Sequence, residues 1–221
     1  MWLGTDGSVM SDVYDWWSRH PRALDALYAF AFMGRERGLR RRSLEALAPA
    51  RGERVLEIGC GTGETLGTLR EAVGSPGTVV GVDASRGMVR AARDRVREAG
   101  WGNVHVVRGD ARRLPVPDGR FDAAYAAMSL SAVPDPAAAV AAARRSLRPG
   151  GRLVVLDARP FQGWPWRLAN PAIVPVSRFL TDWVPEVDLP AALRREFETV
   201  EVTGFNAGTI FVARGDRTDA A

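Results

Sequence analysis

The chain is expected to fold as an α/β protein: a seven-stranded, mostly parallel sheet, helices on both faces, and an antiparallel hairpin at the C-terminal end. Three observations predict this. From residue 53 to residue 157, strand-like and helix-like runs alternate. The strand-like runs are apolar almost throughout, as strands covered on both faces must be. Near the C-terminus the alternation stops and two β runs follow one another.

The strand candidates of the alternating part are 53–58 (ERVLEI), 77–82 (GTVVGV), 103–107 (NVHVV), 121–127 (FDAAYAA) and 151–157 (GRLVVLD). Helices are expected at 64–73, 86–99 and 136–148. In 86–99, Met88, Ala92, Val96 and Ala99 share one face, while Arg90, Arg93 and Arg97 share another, read as solvated. Strands joined through helices must run parallel, with right-handed crossovers. The last two runs, FETVEVTGF and GTIFVARG, surround Asn206-Ala207 and read as the hairpin.

Two segments flank this unit. Residues 12–47 read as helical. Leu24, Leu27, Tyr28 and Ala31 form a stripe there, and Phe30 and Phe32 add apolar surface elsewhere. Residues 161–190 are rich in Pro and Trp, and Val176, Phe179, Leu180, Trp183 and Val184 follow helical spacing. The expected organisation is an N-terminal helical segment (1–47) that helps form the substrate side, a main domain (48–215) with 161–190 inserted as a lid, and a frayed tail (216–221).

Composition narrows the function. The 221 residues are 46% hydrophobic and 25% charged, ordinary for a globular chain. All 30 basic residues are Arg, against 26 acids, for a net charge of +4. That excess is too small to imply a nucleic-acid partner by itself. Cys60 is the only cysteine, so neither an intrachain disulfide nor a cysteine metal cluster is available. A reducing, cytoplasmic setting is the natural reading. The opening MWLGTDGSVM lacks the basic and apolar regions of a signal peptide, and Met10 is an alternative start.

The chemistry starts at VLEIGCGTG, residues 55–63. A loop that ends a parallel strand and opens a helix offers free N–H groups, and glycines let a ligand come close. Asp83 ends the next strand, placed to accept hydrogen bonds from the two hydroxyls of a ribose. The third glycine of a dinucleotide fingerprint would fall on Glu64 or Leu66, so that pattern fails, and no G-K-[ST] is present. Glu57, just before the loop, would repel a phosphate. The loop suits a cationic or zwitterionic nucleoside.

These residues resemble the class I S-adenosylmethionine-dependent methyltransferases, whose sheet is Rossmann-like. VLEIGCGTG is similar to the family's first motif, VVGVDASRGM to the segment holding the ribose, VVRGDARRLP to the one contacting adenine, FDAAYAAMSL to the fourth strand and LRPGGRLVVLD to the fifth. The resemblance covers about residues 50–158. It implies S-adenosylmethionine as cofactor, S-adenosylhomocysteine as product, and no metal. It implies that Gly59, Gly61 and Gly63 make room for the methionine part, that Glu57 orients the loop, that Asp83 holds the ribose and that Asp110 contacts the adenine amine. Cys60, Ala84, Met88, Ala111 and Met128 complete the cofactor-binding set.

Two subfamilies suggest acceptors. Bacterial lipid N-methyltransferases are similar in YD, FMGRERGLR, LEIGCGTGETL and MSLSAVPD; this reading is preferred and implies an amine of a phospholipid or betaine-lipid head group. Quinone C-methyltransferases of ubiquinone and menaquinone biosynthesis share the Tyr-Asp and the PDP, but their Arg-Asn is Ser131-Ala132 here. A nucleic-acid methyltransferase is the remaining alternative; the Asn/Asp-Pro-Pro-Tyr tetrad of base-amine methylation is absent. The catalytic candidates are Tyr14, Asp15 and His20, with helix entry before Pro21 as the plainer role of His20. The expected partners are a small or lipid-like acceptor and a membrane surface touched peripherally, at its inner face, by Trp164, Trp166 and Trp183. Specific nucleic-acid binding is not expected.

Overall fold

The computed structural model describes residues 34–181 and 187–218, together with 17, 19, 20, 23 and 185. Seven strands form one sheet: β1 Arg54–Ile58, β2 Thr78–Asp83, β3 Val104–Arg108, β4 Phe121–Ala127, β5 Leu147–Ala158, β6 Thr199–Phe205 and β7 Ile210–Asp216. Their order is β3-β2-β1-β4-β5-β7-β6. The first five pair in parallel. β7 pairs antiparallel with both β5 and β6, so the hairpin inserts its second strand beside the parallel set. The described helices are α1 Glu36–Leu47, α2 Leu66–Val73, α3 Arg86–Glu98, α4 Pro136–Ser146, α5 Asn170–Thr181 and α6 Leu189–Glu196.

Period-two alternation divides the sheet's side chains between two cores. Val55, Tyr125, Val154 and Val212 meet Leu39, Leu66, Leu69 and Val89 on the α1–α2–α3 face. Leu56, Ile58, Leu153 and Phe211 meet Val140, Leu193 and Phe197 on the α4–α6 face. Helix starts follow local chemistry. The Met88 N–H donates to Ser85 Oγ at 3.2 Å before α3, and the Ala138 and Ala191 N–H groups donate to Asp135 and Asp188 at 3.0 Å each before α4 and α6. Each such cap contributes about 1 kcal/mol.

Some of the arginines have structural work. Arg214 Nη1 donates to Ala46 O at 2.8 Å, and Arg152 Nη2 to Ala48 O at 2.7 Å, satisfying carbonyls that the end of α1 leaves without partners. Arg152 also pairs with Glu53 at 2.8 Å. This fastens α1 over the sheet.

Three boundaries differ from the sequence reading. The expected helix of 12–47 is interrupted at Gly34, whose φ of 71° turns the chain before α1. α2 begins at Leu66, because the glycine loop runs on through Thr65. The tail is held further than expected: Arg217 exchanges backbone bonds of 2.8 Å with Gly150 and Gly151.

Candidate active site

Beyond Ile58 the chain leaves for α2 on one side, and beyond Ala127 it leaves for α4 and β5 on the other. β1 and β4 are neighbours, so a crevice opens between their C-terminal ends. It is a cleft of about 370 Å³, walled by the glycine loop, the ends of β2 and β3, and the turn after β4.

The three glycines all have positive φ, 70°, 53° and 81°, yet they answer different needs. A Cβ on Gly59 would lie 2.3 Å from Ser129 Cβ, so Gly59 lets the β4 turn press against the loop. A Cβ on Gly63 would strike Leu66 and Ala92, so Gly63 lets α2 and α3 close in. A Cβ on Gly61 would meet nothing within 4 Å, and Gly61 borders the cleft. Of the three, Gly61 is where bare backbone faces open space.

Acids stand at the ends of β1, β2 and β3. Asp83 accepts the Gly61 N–H and the Ser85 N–H, each at 2.9 Å, and so fixes the loop to β2. Asp83 also lines the cleft. Glu57 is buried at 3% exposure. It shares a hydrogen bond with Thr65, but Oε2 has no hydrogen-bond partner. Burial is the main reason its carboxyl is pushed up to about 8; the charge of Arg40 opposes this without cancelling it. Arg40 donates to Glu36 at 2.9 Å and to Thr65 Oγ1 at 3.3 Å, and it also lines the cleft. Asp110 is gripped by Arg112, whose Nη2 lies 2.7 Å from Oδ2 and whose backbone N–H is 2.8 Å from Oδ1. Those bonds hold Asp110 below the usual carboxylate range.

The opposite wall is pinned at several points. Met128 takes a φ of 52°, and its N–H donates to Leu156 O at 2.7 Å. Ser129 Oγ donates to Ile58 O at 2.8 Å. Asp157, fully buried at the end of β5, accepts the Ser131 N–H at 3.0 Å, the Ser131 hydroxyl at 2.5 Å and the Ala158 N–H at 2.8 Å. Its carboxyl is pushed up by burial, while those bonds pull it down.

The structure therefore brings Glu57, Gly59, Cys60, Gly61, Asp83, Ala84, Met88, Asp110, Ala111 and Met128 to one cleft. Gly63 stands behind it. Burial pushes the Cys60 thiol upward, and its sulfur packs where a Cβ on Gly81 would sit, so it acts as filler. His20 is exposed and is not part of the cleft wall. Tyr14, Asp15, Trp183 and most of the 12–33 stripe lie outside the described residues. The sequence reading missed Arg40, Ser129 and Asp157. Asp157 carried the same signal as Asp83, an acid ending an apolar strand; Arg40 sat within an arginine run and carried none.

The donor set fits the nucleoside that the motifs implied. Glu57 Oε2 is a buried carboxyl oxygen without a hydrogen-bond partner, a group that suits a cation, and Gly61 leaves open space on the same cleft wall. Among the described residues, no group of three His, Cys, Asp or Glu side chains could hold a metal ion. Among them also, no helix is long and apolar enough to cross a membrane.

Comparison with known proteins agrees. A family model described as a methyltransferase domain matches residues 55–151. Nocamycin O-methyltransferase of Saccharothrix syringae is 42% identical over 117 residues, 53% of this chain and 42% of that protein. The ubiquinone/menaquinone biosynthesis C-methyltransferase UbiE of Teredinibacter turnerae is 42% identical over 107 residues, 48% of this chain and 43% of that protein. The chain thus spans less than half the length of these curated relatives. Among solved structures, geranyl diphosphate C-methyltransferase from Streptomyces coelicolor A3(2), in complex with Mg2+, geranyl diphosphate and S-adenosyl-L-homocysteine, superposes with a TM-score of 0.67 at 17% identity, covering 83% of this chain and 79% of that one. Motifs, strand order and the family match over residues 55–151 together make this part of the chain similar to the class I S-adenosylmethionine-dependent methyltransferases.

Proposed function

We propose that the protein transfers a methyl group from S-adenosylmethionine to a small, lipid-like acceptor. The observation that carries this is the cleft itself: Glu57, Asp83 and Asp110 at three strand ends around the open backbone of Gly61. When bound, the cofactor supplies an electrophilic methyl on a sulfonium. The protein's part is positioning, which can lower a barrier by roughly 7–11 kcal/mol. Glu57 receives the ammonium and loses its proton as it does so. Asp83 receives the ribose hydroxyls while holding Gly61 and Ser85. Asp110, steadied by Arg112, takes the adenine end. The wall of Met128, Ser129 and Leu130, locked to β1 and β5, keeps the acceptor side dry and fixed in place.

For the acceptor, a quinone ring carbon is better supported than an amine. A relative of this chain is named a ubiquinone/menaquinone biosynthesis C-methyltransferase. Methylating an amine makes a cation, which aromatic faces would stabilise. Among the described residues, no aromatic side chain lines the cleft. The amine reading rests on Tyr14 and its neighbours, which lie outside the described residues.

The test is label transfer. The protein is incubated with radiolabelled cofactor and, side by side, a demethylated quinone, phosphatidylethanolamine and its methylated forms. Label in the quinone fraction is the expected result. Label in the amines alone would replace the acceptor. An absence of both cofactor binding and label would overturn the function.

A further inference from the structure

We infer that residues 164–178 form a docking surface for an anionic lipid bilayer. Among the described residues, the large hydrophobic side chains left exposed all fall in this stretch: Trp164 76%, Trp166 57%, Leu168 68%, Ile173 41% and Val176 58%. Single exposed apolar residues need no explanation, but a contiguous set marks a surface built to be covered. α5, which supplies two of them, packs against the short turn Trp166–Ala169, and its residues from 171 to 178 are exposed or half-buried.

The patch is presented by a closed loop. The Phe161 N–H donates to Asn170 Oδ1 at 2.9 Å, and Asn170 Nδ2 donates back to Phe161 O at 3.1 Å. Trp166 stacks on Phe161 with ring centroids 6.1 Å apart. Ordered indoles, apolar in body and polar at the N–H, suit the boundary between water and lipid.

Charge selects the occupant. No acid occurs between Asp157 and Asp182, whereas Arg167 and Arg178 lie inside the patch and both are exposed. Basic residues beside an apolar surface favour anionic head groups. A second copy packed on the same face would bring like-charged arginines together. The placement is also purposeful. The segment leaves the sheet beyond Ala158, at the end of β5 that lies beside the end of β4, the edge on which the cleft opens. Docking this surface turns that edge toward the bilayer, where a lipid-like acceptor would reside.

The experiment is flotation of the full chain with vesicles of phosphatidylcholine alone and with phosphatidylglycerol added. Binding should be about tenfold tighter on the anionic vesicles and should weaken as salt is raised. Trp164→Ser combined with Trp166→Ser should abolish it. Arg167→Glu should remove the preference for anionic vesicles. Both variants should keep the wild-type far-ultraviolet circular dichroism and cofactor affinity. Failure to bind either vesicle, or undiminished binding by both variants, would overturn the inference. So would a dimer, seen by light scattering, that the tryptophan variant dissolves. Vesicle binding is read without cofactor or acceptor, so its failure and that of the methyl-transfer reading are separable.

Discussion

Replacing Glu57 by Gln keeps the shape of the side chain and removes its charge. Burial pushes the wild-type carboxyl from 4.5 to about 8. Below pH 4.5 it is protonated in folded and unfolded chains alike and has no effect on stability. Above that, the unfolded chain gains by ionising while the folded one keeps its proton, so stability falls as pH rises. The fall stops near pH 8, where the folded form also ionises. At pH 7 the effect is about 3 kcal/mol, from 1.36 kcal/mol per pH unit over the interval above 4.5. Gln has no such term. Urea titrations at pH 5 and pH 8 should therefore show the wild type losing several kcal/mol relative to Glu57→Gln.

Binding should move the opposite way. A cationic ammonium needs the ionised carboxylate, so wild-type cofactor affinity should rise from pH 6 to pH 8. Glu57→Gln should remove that rise and weaken binding by roughly 10- to 100-fold, the worth of a charge-assisted hydrogen bond of about 1.5–3 kcal/mol. Calorimetry and the urea series test one carboxyl from two directions. Parallel stability curves together with unchanged affinity would refute the reasoning.

Asp83→Ala removes the acceptor of two loop N–H groups as well as the ribose contact; calorimetry should show cofactor affinity down at least roughly tenfold. Gly59→Ala forces a Cβ to 2.3 Å from Ser129 and should lower stability in a thermal melt by about 2–4 kcal/mol. Gly61→Ala meets no atom, so its melt should fall by only about 1–2 kcal/mol while cofactor binding is lost. Asp157→Ala leaves the Ser131 and Ala158 donors buried without their acceptor and should destabilise by about 2–3 kcal/mol in urea; Asp157→Asn should be milder.

What could be read from the sequence was whatever repeats with a local period or ends a run. Apolar strands with helices between them revealed the sheet, because burial on both faces writes itself into every residue of a strand. Glu57 and Asp83 were legible because each is an acid set against an apolar run, whereas Asp110, beyond Arg108 and Gly109, was picked out only by the resemblance of VVRGDARRLP. The three glycines looked alike in sequence, yet only contacts separate them: Ser129, which meets Gly59, lies far along the chain, and Gly61 is distinguished by meeting nothing. Arg40 was hidden for the same reason. Its neighbours Arg37, Arg41 and Arg42 share its chemistry, and its bond to Thr65 crosses 25 residues. Asp157 shows where local reading stops. It ends its strand as Asp83 ends another, but Asp83 holds a loop only two residues away through Ser85. Asp157 holds Ser131, 26 residues back, at one of the two positions where this chain departs from the Arg-Asn of the quinone enzymes. Ser131 is buried and gives both its N–H and its hydroxyl to Asp157, so the turn after β4 is tied to the end of β5 by a contact that no local pattern announces.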